Sequence, residues 1–224
     1  MSKLFTYFIP RMTLICCSLL FLSCASQLST QRRVEIAKGI NFPLLAPHSF
    51  GDSVALTQLA KVNYEKDSGE QLLFRIEISP EKMTVAGLTL SGTRLFAIEY
   101  DGSKIISEGL AAILDKIKPQ YLLADIQISL WPSKVLLKHF DEQICVSKEN
   151  CLFSVDSKSG ARELYQNNKH LFTVNYLADT RDAQKIEPME KMEVSKKLEV
   201  IHYQRKYRLM IKNLEKESIE SSNE

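Results

Sequence analysis

The 224-residue chain is 45% hydrophobic and 25% charged, a balance that excludes a wholly disordered protein. Eight Gly and seven Pro exclude collagen-like and Pro/Gly low-complexity architectures. The net charge of +2 resides in Lys3 and Arg11, since the residues after 23 carry 27 basic and 27 acidic side chains. A neutral body has no field to gather nucleic acid, which is therefore not an expected partner.

The N-terminus reads as an export signal. Lys3 and Arg11 precede an uncharged, mostly apolar run from Met12 to Leu22. At ~1.5 Å rise per residue this run is too short to cross ~30 Å of hydrocarbon as a mature helix. A buried first helix is the alternative, but polar residues 27–33 follow instead of an amphipathic pattern. The end of the run, Phe21-Leu22-Ser23-Cys24, resembles the bacterial lipoprotein box, although Phe21 stands where Leu is more usual. The resemblance implies a signal peptide over 1–23, lipidation of Cys24 and a membrane anchor. Several acyl chains anchor durably where one anchors weakly. Ala25, in place of Asp, implies the periplasmic face of the outer membrane. Residues 24–44 then form a tether and the first elements.

Strand signals come next. Residues 54–64 place Val54, Leu56, Ala60, Val62 and Tyr64 largely on one face. Asp67-Ser68-Gly69-Glu70 reads as a hairpin turn. In 71–79, Phe74, Ile76 and Ile78 alternate with Arg75 and Glu77. Met83, Val85, Leu88 and Leu90 continue as a strand whose phase slips near Gly87, as at a bulge. Phe96, Ile98 and Tyr100 share a face of a fourth strand, Asp101-Gly102 marks a tight turn, and 104–107 return. Short turns between successive strands make this an antiparallel meander.

The period then changes to that of a helix. Leu110, Ile113, Leu114 and Ile117 form one stripe, and Leu122, Leu123, Ile126, Leu130 and Trp131 form a second, bounded by Pro119 and Pro132. Val135, Leu136 and Phe140 suggest a third short helix. Strands resume near Ile144–Val146, Leu152–Val155, Arg162–Tyr165, Leu171–Leu177, Leu198–Tyr203 and Tyr207–Lys212. Residues 179–196 are charged and read as a long connection, and 214–224 as a disordered acidic tail. Residues 45–213 then make a single domain, large enough for one core.

Cys145 and Cys151 flank a polar pentapeptide. In an oxidising compartment they read as a disulfide across a short hairpin, with two unconnected thiols as the alternative. No further ligand stands at zinc-like spacing, and no cofactor is expected. Gly-x-Ser-x-Gly, phosphate-loop, Gly-x-Gly-x-x-Gly and His-Glu-x-x-His motifs are absent. Ser79-Pro80-Glu81-Lys82 matches Ser-x-x-Lys only formally, because Pro80 falls at a turn and not on a helix.

Residues 123–132, Leu-Ala-Asp-Ile-Gln-Ile-Ser-Leu-Trp-Pro, resemble a segment of a Gram-negative lipoprotein family of unknown function. Gly92-Thr93-Arg94-Leu95-Phe96, Tyr100-Asp101-Gly102 and Tyr207-Arg208-Leu209-Met210-Ile211 match it further. Its members often sit beside aryl-polyene and fatty-acid-like biosynthesis genes. The family is similar to the Lol lipoprotein carrier and its outer-membrane receptor. The resemblance implies an α+β fold: a curved antiparallel sheet, open as a half-barrel, with short helices over its concave face. It also implies an acyl-binding concavity, here expected to be lined by Phe74, Ile76, Ile78, Phe96, Ile98 and Trp131. Asp125 is expected on a solvated helix face or paired with a base such as Arg94. The expected function is binding and placement of a lipid, acyl chain or aryl-polyene-type product. The alternatives are a packed scaffold for a periplasmic protein partner and an esterase or thioesterase with a Ser or His at the pocket mouth.

Overall fold

The computed structural model describes residues 32–64, 67–145, 150–177 and 196–219. Two antiparallel meanders of five strands build one ten-stranded sheet. The first comprises β3 (Val54–Tyr64), β4 (Asp67–Ile78), β5 (Met83–Leu88), β6 (Arg94–Tyr100) and β7 (Ile105–Gly109). The second comprises β8 (Cys151–Val155), β9 (Arg162–Gln166), β10 (Lys169–Leu177), β11 (Lys197–His202) and β12 (Tyr207–Ser218). They join where β12 pairs with β3, from Tyr207 opposite Tyr64 to Ser218 opposite Val54. The order β7-β6-β5-β4-β3-β12-β11-β10-β9-β8 leaves β7 and β8 as edges, so the curved sheet stays open.

The chain between those two edges has to cross a face of the sheet. It does so as α1 (Ala111–Ile117), α2 (Pro119–Leu130), α3 (Ser133–His139) and a π-helical turn, Phe140–Ile144. α1 and α2 are separate because Lys118 takes a left-handed conformation, φ 50°, and Pro119 starts the next helix. The C-terminus of α2 is capped by Arg162. This buried guanidinium donates to the Ile128 carbonyl and, at 2.7 Å, to the Trp131 carbonyl. A cation suits that end of a helix, where carbonyls lack partners and the dipole is negative.

Both ends of the domain extend beyond the sequence boundaries. Before residue 45, β1 (Arg33–Ala37) and β2 (Ile40–Pro43) form a hairpin whose Val34, Ile36 and Phe42 enter the core, followed by Leu44. At the C-terminus, 214–218 belong to β12 and not to a tail. A ladder needs backbone partners and not apolar side chains, and β3 supplies them through Val54. Glu217 meanwhile pairs with Arg75 at 2.9 Å on the solvated face.

Two local expectations also change. Asp67-Ser68-Gly69-Glu70 lies inside β4 and is not a turn. Gly69 is required there, because a Cβ would fall 1.8 Å from the Val62 carbonyl oxygen. Ile144 closes the π-helical turn and does not start a strand. Cys145 and Cys151 are joined as a disulfide, which ties the helical layer to the first residue of edge strand β8. The slip at Gly87 is present: the β5–β6 register shifts between Gly87 and Leu88. The export segment with Cys24, and 178–195 of the charged connection, lie outside the described residues.

Candidate ligand-binding cavity

Strand parity decides which side chains face the helices, since alternate residues share a face. On β3 these include Gln58, Ala60 and Val62, and on β4 Leu72, Phe74 and Ile76. On β11 they are Leu198 and Val200, and on β12 Tyr207, Leu209 and Ile211. Register sets them in rows: Ala60 stands opposite both Ile211 and Leu72, and Leu209 opposite both Val62 and Val200. This four-strand floor is almost wholly apolar.

The roof is one face of α2: Tyr121, Leu122, Asp125, Ile126, Ser129 and Leu130, with Ile117 and Lys118 ahead of it. Roof and floor touch where the Tyr207 hydroxyl donates to Asp125, and elsewhere they stand apart. They enclose a cavity of about 440 Å³, within the roughly 300–1,000 Å³ of small-molecule sites. Lys116, Lys118 and Arg205 supply its cations. Arg205 lies 3.8 Å over the Tyr121 ring and donates at 2.9 Å to the Glu35 carbonyl, so its head group is held in place.

Of the six residues expected to line the concavity, Phe74 and Ile76 do so. Ile78, Phe96, Ile98 and Trp131 are fully buried outside the cavity lining. The reason is the segment that follows β2. Gln127 on α2 clamps Leu45 in both directions, accepting from its N–H and donating to its carbonyl, each at 2.8 Å. Tyr100 donates to the Leu44 carbonyl, and Trp131 donates from its indole nitrogen to Ser49 Oγ at 2.8 Å. Phe50 stacks edge-on against Trp131, with ring centroids 5.2 Å apart. The N-terminal segment therefore packs against that part of the core.

Asp125 departs furthest from expectation. It is buried on the roof and accepts a hydrogen bond from the Tyr207 hydroxyl, while Arg94 is exposed on β6. Burial pushes the Asp125 carboxyl up to about 6, against the Tyr207 hydrogen bond and the Arg205 charge, which pull it down. Burial and the neighbouring carboxylate in turn push the Tyr207 hydroxyl up. Tyr207 and Arg205 were not legible as site residues. Tyr207 opened a segment that resembles the lipoprotein family, but nothing there paired it with Asp125, 82 residues away, and Arg205 carried no such signal. Among the described residues lining the cavity, Ser129 is accompanied by no histidine.

Residues 55–215 match a family described as a protein of unknown function, DUF3261. Similar solved structures include a LolA superfamily protein from Nitrosomonas europaea, at 11% identity and a TM-score of 0.41, covering 83% of this chain and 92% of that one. A candidate outer-membrane lipoprotein-sorting domain from Vibrio parahaemolyticus is 9% identical, with a TM-score of 0.39, covering 78% and 88%. No curated protein matches the chain. Among the described residues no helix is long and apolar enough to cross a membrane.

Proposed function

We propose that this chain, which belongs to the DUF3261 family, binds a hydrophobic molecule in the cavity beneath α2 and helps place it at the outer membrane. The molecule is a lipid acyl chain or an aryl-polyene-type product, and the anchor is lipidated Cys24. The observation that carries this reading is the 440 Å³ space between an apolar four-strand floor and one helix face. Each methylene moved from water into such a space contributes ~0.8 kcal/mol. A chain of about ten methylenes gains ~8 kcal/mol before ordering costs, which makes micromolar affinity the upper bound for that term alone. A scaffold that works through its outer surface has no use for such a space.

Native mass spectrometry of full-length protein purified from membranes tests the proposal. Adducts with the mass of a lipid or other hydrophobic molecule are expected, and they should disappear on extraction with organic solvent. Protein that carries no adduct and takes up no fluorescent fatty acid contradicts it. Cys24→Ser should lose acyl labelling and membrane association without losing ligand uptake.

A further inference from the structure

The cavity is mostly apolar, and among its polar groups one pair stands out. Asp125 and Ser129 stand one helical turn apart on the roof, and both line the space. Each is more than nine-tenths buried. Among the described residues, Asp125 Oδ1 and Ser129 Oγ are buried side-chain oxygens without a hydrogen-bond partner. The other Asp125 oxygen, Oδ2, is taken by Tyr207. Buried polar atoms in folded proteins are nearly always paired, because an unpaired one forfeits its hydration.

Lys116 and Lys118 also line the cavity, with Lys118 5.9 Å over the Tyr121 ring. Gln58 donates to Asn213 Oδ1 at 2.7 Å, and Arg205 is committed to Glu35 and the Tyr121 ring. The two roof oxygens thus form a matched pair: a carboxylate oxygen that can only accept, and a hydroxyl that can donate or accept. We infer that the occupant of the cavity is an apolar chain bearing a neutral hydrogen-bond donor, a hydroxyl or an amide N–H, that docks on Asp125 and Ser129. A hydroxyl donating to Asp125 and accepting from Ser129 satisfies both at once. An ester offers only acceptors and would turn them toward the carboxylate. The inference rests on the proposed binding of a hydrophobic molecule and adds the chemistry by which that molecule is chosen.

The test uses the full-length protein and three probes of equal chain length: dodecan-1-ol, dodecanamide and methyl dodecanoate. Each displaces a bound fluorescent fatty acid at pH 8, where Asp125 is ionised. A hydrogen bond to a charged group changes affinity by about ten- to a hundredfold. The alcohol and the amide should therefore bind at least about tenfold tighter than the ester. If one donor binds tightly and the other does not, the occupant's donor is of the tighter kind. Asp125→Asn keeps an acceptor for Tyr207 and turns the other atom into a donor, so the ester should gain and the preference should collapse toward one. Ser129→Ala, which leaves the Tyr207 contact intact, should reduce the preference by a few-fold. Circular dichroism checks that both variants fold. Equal affinity for all three probes, or a preference unchanged in both variants, overturns the inference and leaves the cavity reading intact. Failure of every probe and of the fatty acid to bind overturns both.

Discussion

The two halves of the sheet's inner face carry the same kinds of residue and end in opposite states. Under β5 and β6, Val85, Phe96, Ile98 and Tyr100 are sealed to zero exposure. Under β3, β4, β11 and β12, the same alternation of Val, Leu and Ile borders a cavity. The difference lies in what arrives from elsewhere in the chain. Residues 44–50 pack into the first half, with Leu44 and Leu45 buried and Gln127, Tyr100 and Trp131 holding their backbone and Ser49. Over the cavity the second half receives one face of α2 with the end of α1 ahead of it, and they leave the space unfilled. An apolar strand face is thus core or binding site according to its partner and not its composition.

The largest effect that separates the halves is on stability. Trp131→Ala, in the packed half, should cost about 3–5 kcal/mol by urea denaturation. Leu209→Ala borders space that already exists and should cost less than about 2 kcal/mol. Equal losses would mean that the second half is as tightly packed as the first. Somewhat smaller is the effect of releasing the clamp. Gln127→Leu leaves the Leu45 N–H and carbonyl unpaired in the core, for a loss of about 3 kcal/mol. Proteolysis should then cut within 32–50 before any other described segment. A variant as stable as the wild type would show that the clamp does not hold the N-terminal segment.

Much of the architecture was legible because it is local. Phe74, Ile76 and Ile78 alternate as a strand, Leu122 to Leu130 follow a helical period, and short turns make antiparallel neighbours. The slip at Gly87 was legible in the changed phase between Val85 and Leu88, and in the structure a Cβ at Gly87 would fall 2.1 Å from the Phe96 ring. The closure of β12 onto β3 was not legible, since it joins residues as distant as Gln58 and Asn213. For the same reason the acidic strand end looked like a tail. The cavity itself was half legible: Phe74 and Ile76 could be named, but nothing in the alternation distinguishes them from Phe96 and Ile98. Asp125 was misplaced because its partner Tyr207 comes from another strand, and a lone acid in an apolar helix ordinarily faces water.

A smaller effect is electrostatic and has opposite signs at two groups of the second half. His202, beneath the N-terminal hairpin and bonded to the Ile36 carbonyl, is held down to about 4 by burial and then by the Arg205 charge. The unfolded chain binds that proton more readily, so its contribution to stability is present above pH ~6.5 and is lost as pH falls toward 4. Asp125 behaves in the other sense. The folded protein holds its proton up to about 6, so its contribution is present below the unfolded value near 4 and is lost as pH rises through 6. The two offset each other over one window. Asp125→Asn removes one of them and should make the stability loss between pH 6.5 and 4 steeper by about 2 kcal/mol. Parallel profiles for the variant and wild type would show that Asp125 is not buried as described.

The central claim is that one half of the inner face is open to a ligand and the other is not. Titration of the full-length protein with a fluorescent fatty acid tests it through two substitutions. Ala60→Phe places a ring in the cavity floor, and Ile98→Val removes one methyl group from the packed half. Wild type should bind one equivalent, and Ala60→Phe should stay folded and bind at least about tenfold more weakly. Ile98→Val should lose about 1 kcal/mol of stability and keep its affinity. No binding by wild type, or undiminished binding by folded Ala60→Phe, would contradict the account.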